Sequence, residues 1–448
     1  MRKPLVTVLA VAGLLAIGGC GTGIGTGRPA PSGATLPTDG VRLYGTDGNM
    51  GNGLGTSLKD RPGVLSGMKG TAPIAPLTAE FKSRLRAVQP GLNDYSYAGQ
   101  TYDAVVIAGL ATEIARTTKG SEVARYLPGV TFGGEDCETV ATCLAAIRKG
   151  KDIRYRGASL RRGGFTDRGE PATATYGTLH FSRDNTIDDA MTEYVGAGNE
   201  ADTSQTAPPA PAPLEKEPEG VPLVVGGLLP KSGQLTSMYP PLIAGFRLGI
   251  KELNDAGGIL GEPVKWVDGD DGTNPDKAKQ TVETLLGQKV HIIIGAGASG
   301  VSKVVIPRVT GAGVLMISPS STSDELTSVP DNNLFFRTAG PDQLQARALA
   351  DIVMRDGTRR VYLVSRDDSW GQGLTRNLVA NLATAGVAAD EIQVFDYAPG
   401  SAAAPEPNLT GLVDAVRKFG PDALVIIGFD ESSAVIEALA AGGIPLHS

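Results

Sequence analysis

Residues 290–327, VHIIIGAGASGVSKVVIPRVTGAGVLMISPSSTSDELT, restrict the fold more than any other part of the chain. A wholly apolar run at 290–294 reads as a buried strand. A Gly-rich turn, a short amphipathic helix and a second buried strand at 314–317 follow, and then a Ser/Thr turn that opens another helix. Both turns come just after the carboxyl ends of strands in a parallel sheet, where open α/β sheets take their ligands. They offer Ser299 in the first turn, Ser320, Ser321 and Thr322 in the second, and free backbone N–H groups. Small hydroxyls and amides hold anions. No nucleophile stands beside a base, so no catalytic residue is expected.

The same alternation runs through 221–448. Strands are expected at 223–225, 264–267, 334–336, 361–364, 392–395 and 423–427. The intervening helices include one carrying Ile243, Phe246, Ile250 and Leu253 on one face and ending at Gly257-Gly258, and one opening at Pro275. Repeated β–α units at this spacing predict a doubly wound parallel sheet. Upstream, 41–195 starts on a strand, VRLYG, not on a β–α opening unit. It continues through a helix with Phe81, Leu85 and Val88, an all-round apolar helix at 102–114, and short strands across 151–185. Between the two parts lies GAGNEADTSQTAPPAPAPLEKEPEG (196–220), too poor in apolar residues to pack and read as a disordered linker. The last unit stops where one more strand is due, and VRLYG supplies it. Read as 221–448 followed by 41–195, the text is one continuous α/β protein. The chain is therefore expected to be circularly permuted, with 196–220 joining the former termini.

Cysteine usage places the chain outside the cytoplasm. Residues 1–19 have a basic start, an apolar run and small residues before Cys20, which is a secretory signal too short for a comfortable membrane span. The ending Ile17-Gly18-Gly19-Cys20 resembles the lipobox of bacterial lipoproteins, which implies a lipid on Cys20, with 20–40 as a flexible tether. In an exported protein Cys137 and Cys143, with no His or further Cys nearby, are expected to form a disulfide and not a metal site. A net charge of -7 over 448 residues argues against a nucleic-acid partner.

In the reordered reading the sequence resembles the type 1 periplasmic binding proteins of the branched-chain amino acid kind, the extracytoplasmic substrate-binding components of ABC importers. The resemblance rests on VVGGLLPKSGQLTSMYPPLIAGFRLGIKELNDAGGILG, the 290–327 stretch, NLFFRTAGPDQLQA, VSRDDSWGQG, LYGTDG and YDAVVIAGLATEI, together with the paired cysteines. It implies two Rossmann-like lobes, joined by hinge strands, that close on a ligand. Lobe 1 would span about 221–340, and lobe 2 about 341–448 plus 41–70, with 41–195 contributing to both. It also implies an amino acid-like ligand, a permease partner in the membrane, no cofactor and no enzyme activity. Carried across by position, Ser299 and Thr322 take the ligand α-carboxylate, with Ser320 lending its backbone. Asp47 pairs with the α-ammonium, and Trp370 and Phe429 supply aromatic walls. The tyrosine of the family's first β–α turn falls at Met238-Tyr239, which makes Tyr239 a candidate. Tyr102 is either cleft lining or the start of a core helix.

Rival readings are weaker. GAGASG formally matches a dinucleotide fingerprint, but it is not in the first β–α turn of its sheet, and Ser318 ends the next strand where an acid is required. DGDDGTNPD lacks the closing glutamate of a calcium loop, having Lys279 at the twelfth position. A receptor of the same fold that signals without transporting would share every feature.

Overall fold

The computed structural model describes residues 40–206, 208, 220–400 and 406–447, so Cys20 and most of the Pro-rich stretch lie outside the described residues. The strands in chain order are β1 (Arg42–Gly45), β2 (Lys69–Ala72), β3 (Glu135–Cys137), β4 (Ile153–Tyr155), β5 (Thr173–His180) and β6 (Glu193–Gly198). After the linker come β7 (Val224–Leu229), β8 (Lys265–Asp270), β9 (Ile292–Gly295), β10 (Leu315–Ser318), β11 (Phe335–Arg337), β12 (Val361–Arg366), β13 (Ile392–Tyr397) and β14 (Ala423–Ile427).

They form two principal sheets. A five-stranded parallel sheet has the order β11-β10-β9-β7-β8, and a seven-stranded sheet the order β13-β12-β14-β1-β2-β5-β6. β9, β10 and β14 are buried at every residue. That is why they read as unbroken apolar runs: helices cover both faces of a parallel sheet. β1 lies between β14 and β2, pairing parallel with β14 from Arg42↔Ala423 to Gly45↔Ile426. Beyond it, Val41 forms an isolated parallel bridge with Leu446.

The helix Ala98–Ala115, buried almost throughout, packs against the five-stranded lobe through the helix Tyr239–Asp255. Glycines make the approach close. A Cβ on Gly245 would lie 2.2 Å from the Ala98 carbonyl oxygen, and one on Gly109 would lie 2.7 Å from Leu253. Lacing also occurs where the chain crosses between lobes at 338–341. There Thr338 Oγ1 donates to the Gln100 carbonyl at 2.9 Å and Tyr176 Oη to the Pro341 carbonyl at 3.0 Å.

Two features differ from the sequence expectation. β5 and β6 add an antiparallel end to the otherwise parallel seven-stranded sheet. Residues 196–204, read as the start of the linker, are folded. Gly196–Gly198 complete β6, Thr203 Oγ1 accepts from Gly164 N at 3.0 Å, and Ser204 N donates to the Phe165 carbonyl at 2.7 Å. Backbone pairing and two buried hydroxyl residues hold this stretch without the apolar side chains that composition looks for. Cys137 and Cys143 are joined as a disulfide.

Candidate functional site

The two turns of the 290–327 stretch are bound to each other before anything else reaches them. Gly295 has φ 137°, and a Cβ there would sit 2.0 Å from the Leu228 carbonyl oxygen, so only glycine makes this turn. Ser318 Oγ donates to the Ala296 carbonyl at 2.8 Å, and Ser320 Oγ to the Gly297 carbonyl at 2.9 Å. Ser299 Oγ accepts from Thr322 N and Ser323 N, both at 3.1 Å. Buried Arg337 braces the second turn from beneath, giving Nη1 to the Ser323 carbonyl at 2.8 Å and Nη2 to Glu170 at 2.5 Å.

This lacing corrects the expectation of free amides. The N–H groups of Gly297, Ser321, Thr322 and Ser323 are occupied by Asp271, Ser318 and Ser299. What is left for an anion is narrower. The helix Ser299–Gly311 has Ala298 at its N-cap with no side-chain cap; Val301 N donates to the Ala298 carbonyl at 3.1 Å, which leaves the N–H groups of Ser299 and Gly300 without an intrahelical acceptor. Because Ser299 Oγ uses its lone pairs on the second turn, its hydrogen is available to donate outward.

Opposite these hydroxyls stand carboxylates. Asp47, in the turn after β1, accepts from Tyr97 Oη at 2.7 Å and from Gln345 Nε2 at 2.8 Å. Asp342, first residue of the helix Asp342–Arg355, is fully buried, and its backbone N–H donates to the Thr322 carbonyl at 2.9 Å. Neither Asp342 carboxylate oxygen has a hydrogen-bond partner of good geometry among the described residues. Burial raises the pKa of both acids. At Asp342 the negative charge of Asp47 adds to that rise, with Thr322 opposing it. Arg337 offsets part of the charge at Asp342, but neither acid makes an ion pair among the described residues, so together they favour an incoming positive charge.

Aromatic rings close the group. Trp370 Nε1 donates to Thr322 Oγ1 at 3.1 Å, and the Trp370 and Phe429 rings lie 4.8 Å apart. A Cβ on Gly48 would meet Phe429 Cδ1 at 2.7 Å and Trp370 Cη2 at 2.9 Å, so both rings stand against the Asp47 turn. The Arg366 guanidinium lies 3.7 Å over Phe429, held by Asp368, Glu431 and Gln234. Gln234 follows β7 of the five-stranded lobe, as does Ser237, whose Oγ donates to Asp430 at 2.5 Å. The lobes therefore touch across the cleft.

Ser299, Ser320, Thr322, Asp47, Trp370 and Phe429 thus converge. Two other candidates do not. Tyr102 donates to Glu252 at 2.6 Å and packs on Phe81 between helices. Tyr239 stands at the head of its helix near Lys231, while Met238 lines the small cavity beside Asp47, Phe429 and Asp430. The tyrosine that does reach Asp47 is Tyr97, one helical turn and a residue before Tyr102. Asp342, Tyr97 and Gln345 went unnoticed in the sequence. An acid opening a helix reads as a cap, and only the spatial neighbourhood of Asp47 gives it another meaning.

Comparisons with known proteins bear on the family. The sequence model of a family described as periplasmic binding protein matches residues 222–447. The Leu/Ile/Val-binding protein homolog 3 of Brucella melitensis is 24% identical over 215 residues, covering 48% of this chain and 56% of that protein. The Leu/Ile/Val-binding protein BraC3 of Rhizobium johnstonii is 29% identical over 166 residues, 37% of this chain and 45% of its own length. The chain spans about half the length of these curated relatives. Among solved structures, the branched-chain amino acid transporter substrate binding protein LivJ from Streptococcus pneumoniae, in complex with isoleucine, aligns at 23% identity over 50% of this chain and 63% of that one, with TM-score 0.44.

Proposed function

The chain belongs to the periplasmic binding protein family, and from that premise we propose that it is the extracytoplasmic substrate-binding component of an ABC importer, enclosing a small amino acid or related zwitterion between its lobes. One observation carries the reading: hydroxyls at Ser299 and Thr322 stand with the carboxylates Asp47 and Asp342, neither of which makes an ion pair among the described residues. A zwitterion is the ligand that satisfies both ends. Its carboxylate takes the Ser299 hydroxyl, the Thr322 hydroxyl and the open amides of the Ser299–Gly311 helix. Its ammonium lies between Asp47 and Asp342, where it offsets the cost of burying two negative charges. Trp370 and Phe429 exclude water and strengthen both contacts. The names of the relatives, which are Leu/Ile/Val-binding proteins, support an amino acid.

Two further elements of the proposal concern the whole chain. Cys20 carries the lipid that holds the protein on the outer face of the cell membrane, where it delivers ligand to a permease. The fold is a circular permutant of the family's. The seating of β1 between β14 and β2, with Val41 beside Leu446, supports that arrangement.

Melting the protein against a panel of amino acids and their amides tests the ligand class. A ligand present at about 100 times its Kd adds about 2.7 kcal/mol to stability by mass action, and at least one zwitterion is expected to raise Tm accordingly. A panel in which only simple carboxylates stabilise would remove the ammonium, and with it the amino acid reading.

A further inference from the structure

Asp47 and Asp342 lie in one group, yet their surroundings differ. Asp47 keeps partial exposure. Tyr97 Oη donates to its Oδ2 at 2.7 Å and Gln345 Nε2 to its Oδ1 at 2.8 Å, so each oxygen has a donor. The sense of the Gln345 amide is fixed, because its nitrogen also reaches the Thr71 carbonyl at 3.0 Å and only an N–H group serves two acceptors. Hydrogen bonds of this kind favour the ionised form of a carboxyl group. Asp342 is wholly buried, and among the described residues no donor meets either of its oxygens with good geometry.

The groups around Asp342 add to the contrast. Asp47 faces it from the turn after β1, Asp324 from the segment after β10, Arg337 from β11, Tyr176 from β5 and Tyr97 from the N-cap of the Ala98–Ala115 helix. Burial, then the charges of Asp47 and Asp324, push its carboxyl toward the protonated form, while the Thr322 hydroxyl and Arg337 oppose them. Arg337 is already paired with Glu170 at 2.5 Å and gives Nη1 to the Ser323 carbonyl. The two phenols are spent elsewhere, Tyr97 on Asp47 and Tyr176 on the Pro341 carbonyl. Gln345, three residues along the same helix and so on the same face, has an Oε1 with no partner among the described residues. Acceptors here outnumber donors, and a protonated carboxyl is itself a donor.

Two carboxyl groups that feel each other away from water do not both ionise cheaply, and such a pair keeps one proton. We propose that Asp47 and Asp342 share one proton, that it resides on Asp342 while Asp47 is ionised, and that an incoming ammonium displaces it to solvent. The displacement breaks the Asp342 O–H bond, hands the proton to water and leaves two carboxylates around one ammonium. Tyr97 and Gln345 are positioning residues, because their donation decides which acid stays charged. The displacement rests on the reading that the cleft takes a zwitterion; the location of the proton does not. Binding weakens as pH falls, since proton and ammonium compete for Asp342.

NMR of the aspartate carboxyl carbons in the detergent-solubilised full chain locates the proton without any ligand. One resonance is expected to keep the shift of a protonated acid well above the ordinary carboxylate range. It should vanish in Asp342→Asn and titrate lower in Asp47→Asn, which removes the neighbouring charge. Asp271, whose pKa burial lifts to about 6, should be unmoved by either change. Gln345→Met, which takes a donor from Asp47, is expected to spread the titration over both carboxyl groups, a change that lost packing alone would not produce. Calorimetry with L-leucine in buffers of different ionisation heat then counts protons, with about one released per leucine bound in the wild type and none in Asp342→Asn. An Asp342 carboxyl that ionises within the ordinary range overturns the proposal, and so does leucine binding whose heat is the same in every buffer. Absence of any heat with L-leucine would count against the amino acid reading, and the carboxyl titration would still decide where the proton lies.

Discussion

Asp342 is where binding and stability pull in opposite directions. Among the described residues its buried carboxylate has no hydrogen-bond partner of good geometry, and it faces Asp47, so at neutral pH its charge works against the folded state. Asp342→Asn should therefore raise Tm in the absence of ligand while weakening the binding of a zwitterion by about 3 kcal/mol, roughly a hundredfold in Kd. Calorimetry and melting on the same variant read both effects, and a variant that loses stability instead would mean that the acid is held by contacts other than those described. Ser299→Ala is the contrasting case. It strands the N–H groups of Thr322 and Ser323 and should lower stability by about 2 kcal/mol even without ligand. Asp271 governs the pH response of the Gly-rich turn. Burial pushes its pKa up to about 6, although Gly297 N and Thr273 N both donate to it at 2.7 Å. Its folded value lies above the unfolded one, so its contribution is fully present below about pH 4 and is lost as pH rises through about 6. Unfolding free energy should fall by about 3 kcal/mol more across that interval in the wild type than in Asp271→Asn, as denaturant titrations at each pH would register.

At the scale of elements, the close crossing of the Ala98–Ala115 and Tyr239–Asp255 helices depends on what is missing from their surfaces. Alanine is the better helix former, yet at Gly245 its methyl would enter backbone. Gly245→Ala should destabilise the protein by about 2 kcal/mol in chemical denaturation, the range for overpacking; a neutral result would mean that the helices can separate at no cost. The same helices show what pattern alone can reveal. The all-round apolar run at 102–114 marks a buried helix, and β14 falls on the residues expected of it, because burial on both faces writes itself into every position. β5 and β6, TATYGTLH and EYVGAG, are small and polar, and neither declares its sheet or its antiparallel direction. Of the candidate site, Ser299, Thr322, Asp47, Trp370 and Phe429 were legible through the family resemblance. Tyr97 was hidden among neighbouring tyrosines in a turn, and Asp342 at a helix start 295 positions from the acid that gives it meaning.

For the molecule as a whole, the proposed permutation has a direct test. Joining residue 447 to residue 40 and opening the chain within 209–219 should return a protein with the same melting behaviour and ligand preference, because Val41 N already donates to the Pro445 carbonyl and His447 N to the Val41 carbonyl at 2.9 Å. Failure of that chain to fold would count against equivalence of the two orders. The seating of β1 also sets a schedule. β1 is made long before β14, yet the two are neighbours in the middle of one sheet. Until residues 423–427 exist, the segment 42–45 has half its hydrogen-bonding partners missing, and contacts so distant along the chain close slowly. Between the making of residues 42–45 and that of residues 423–427 the nascent protein therefore carries an unfinished sheet with its apolar strands open, and the reordered chain should refold faster than the natural one.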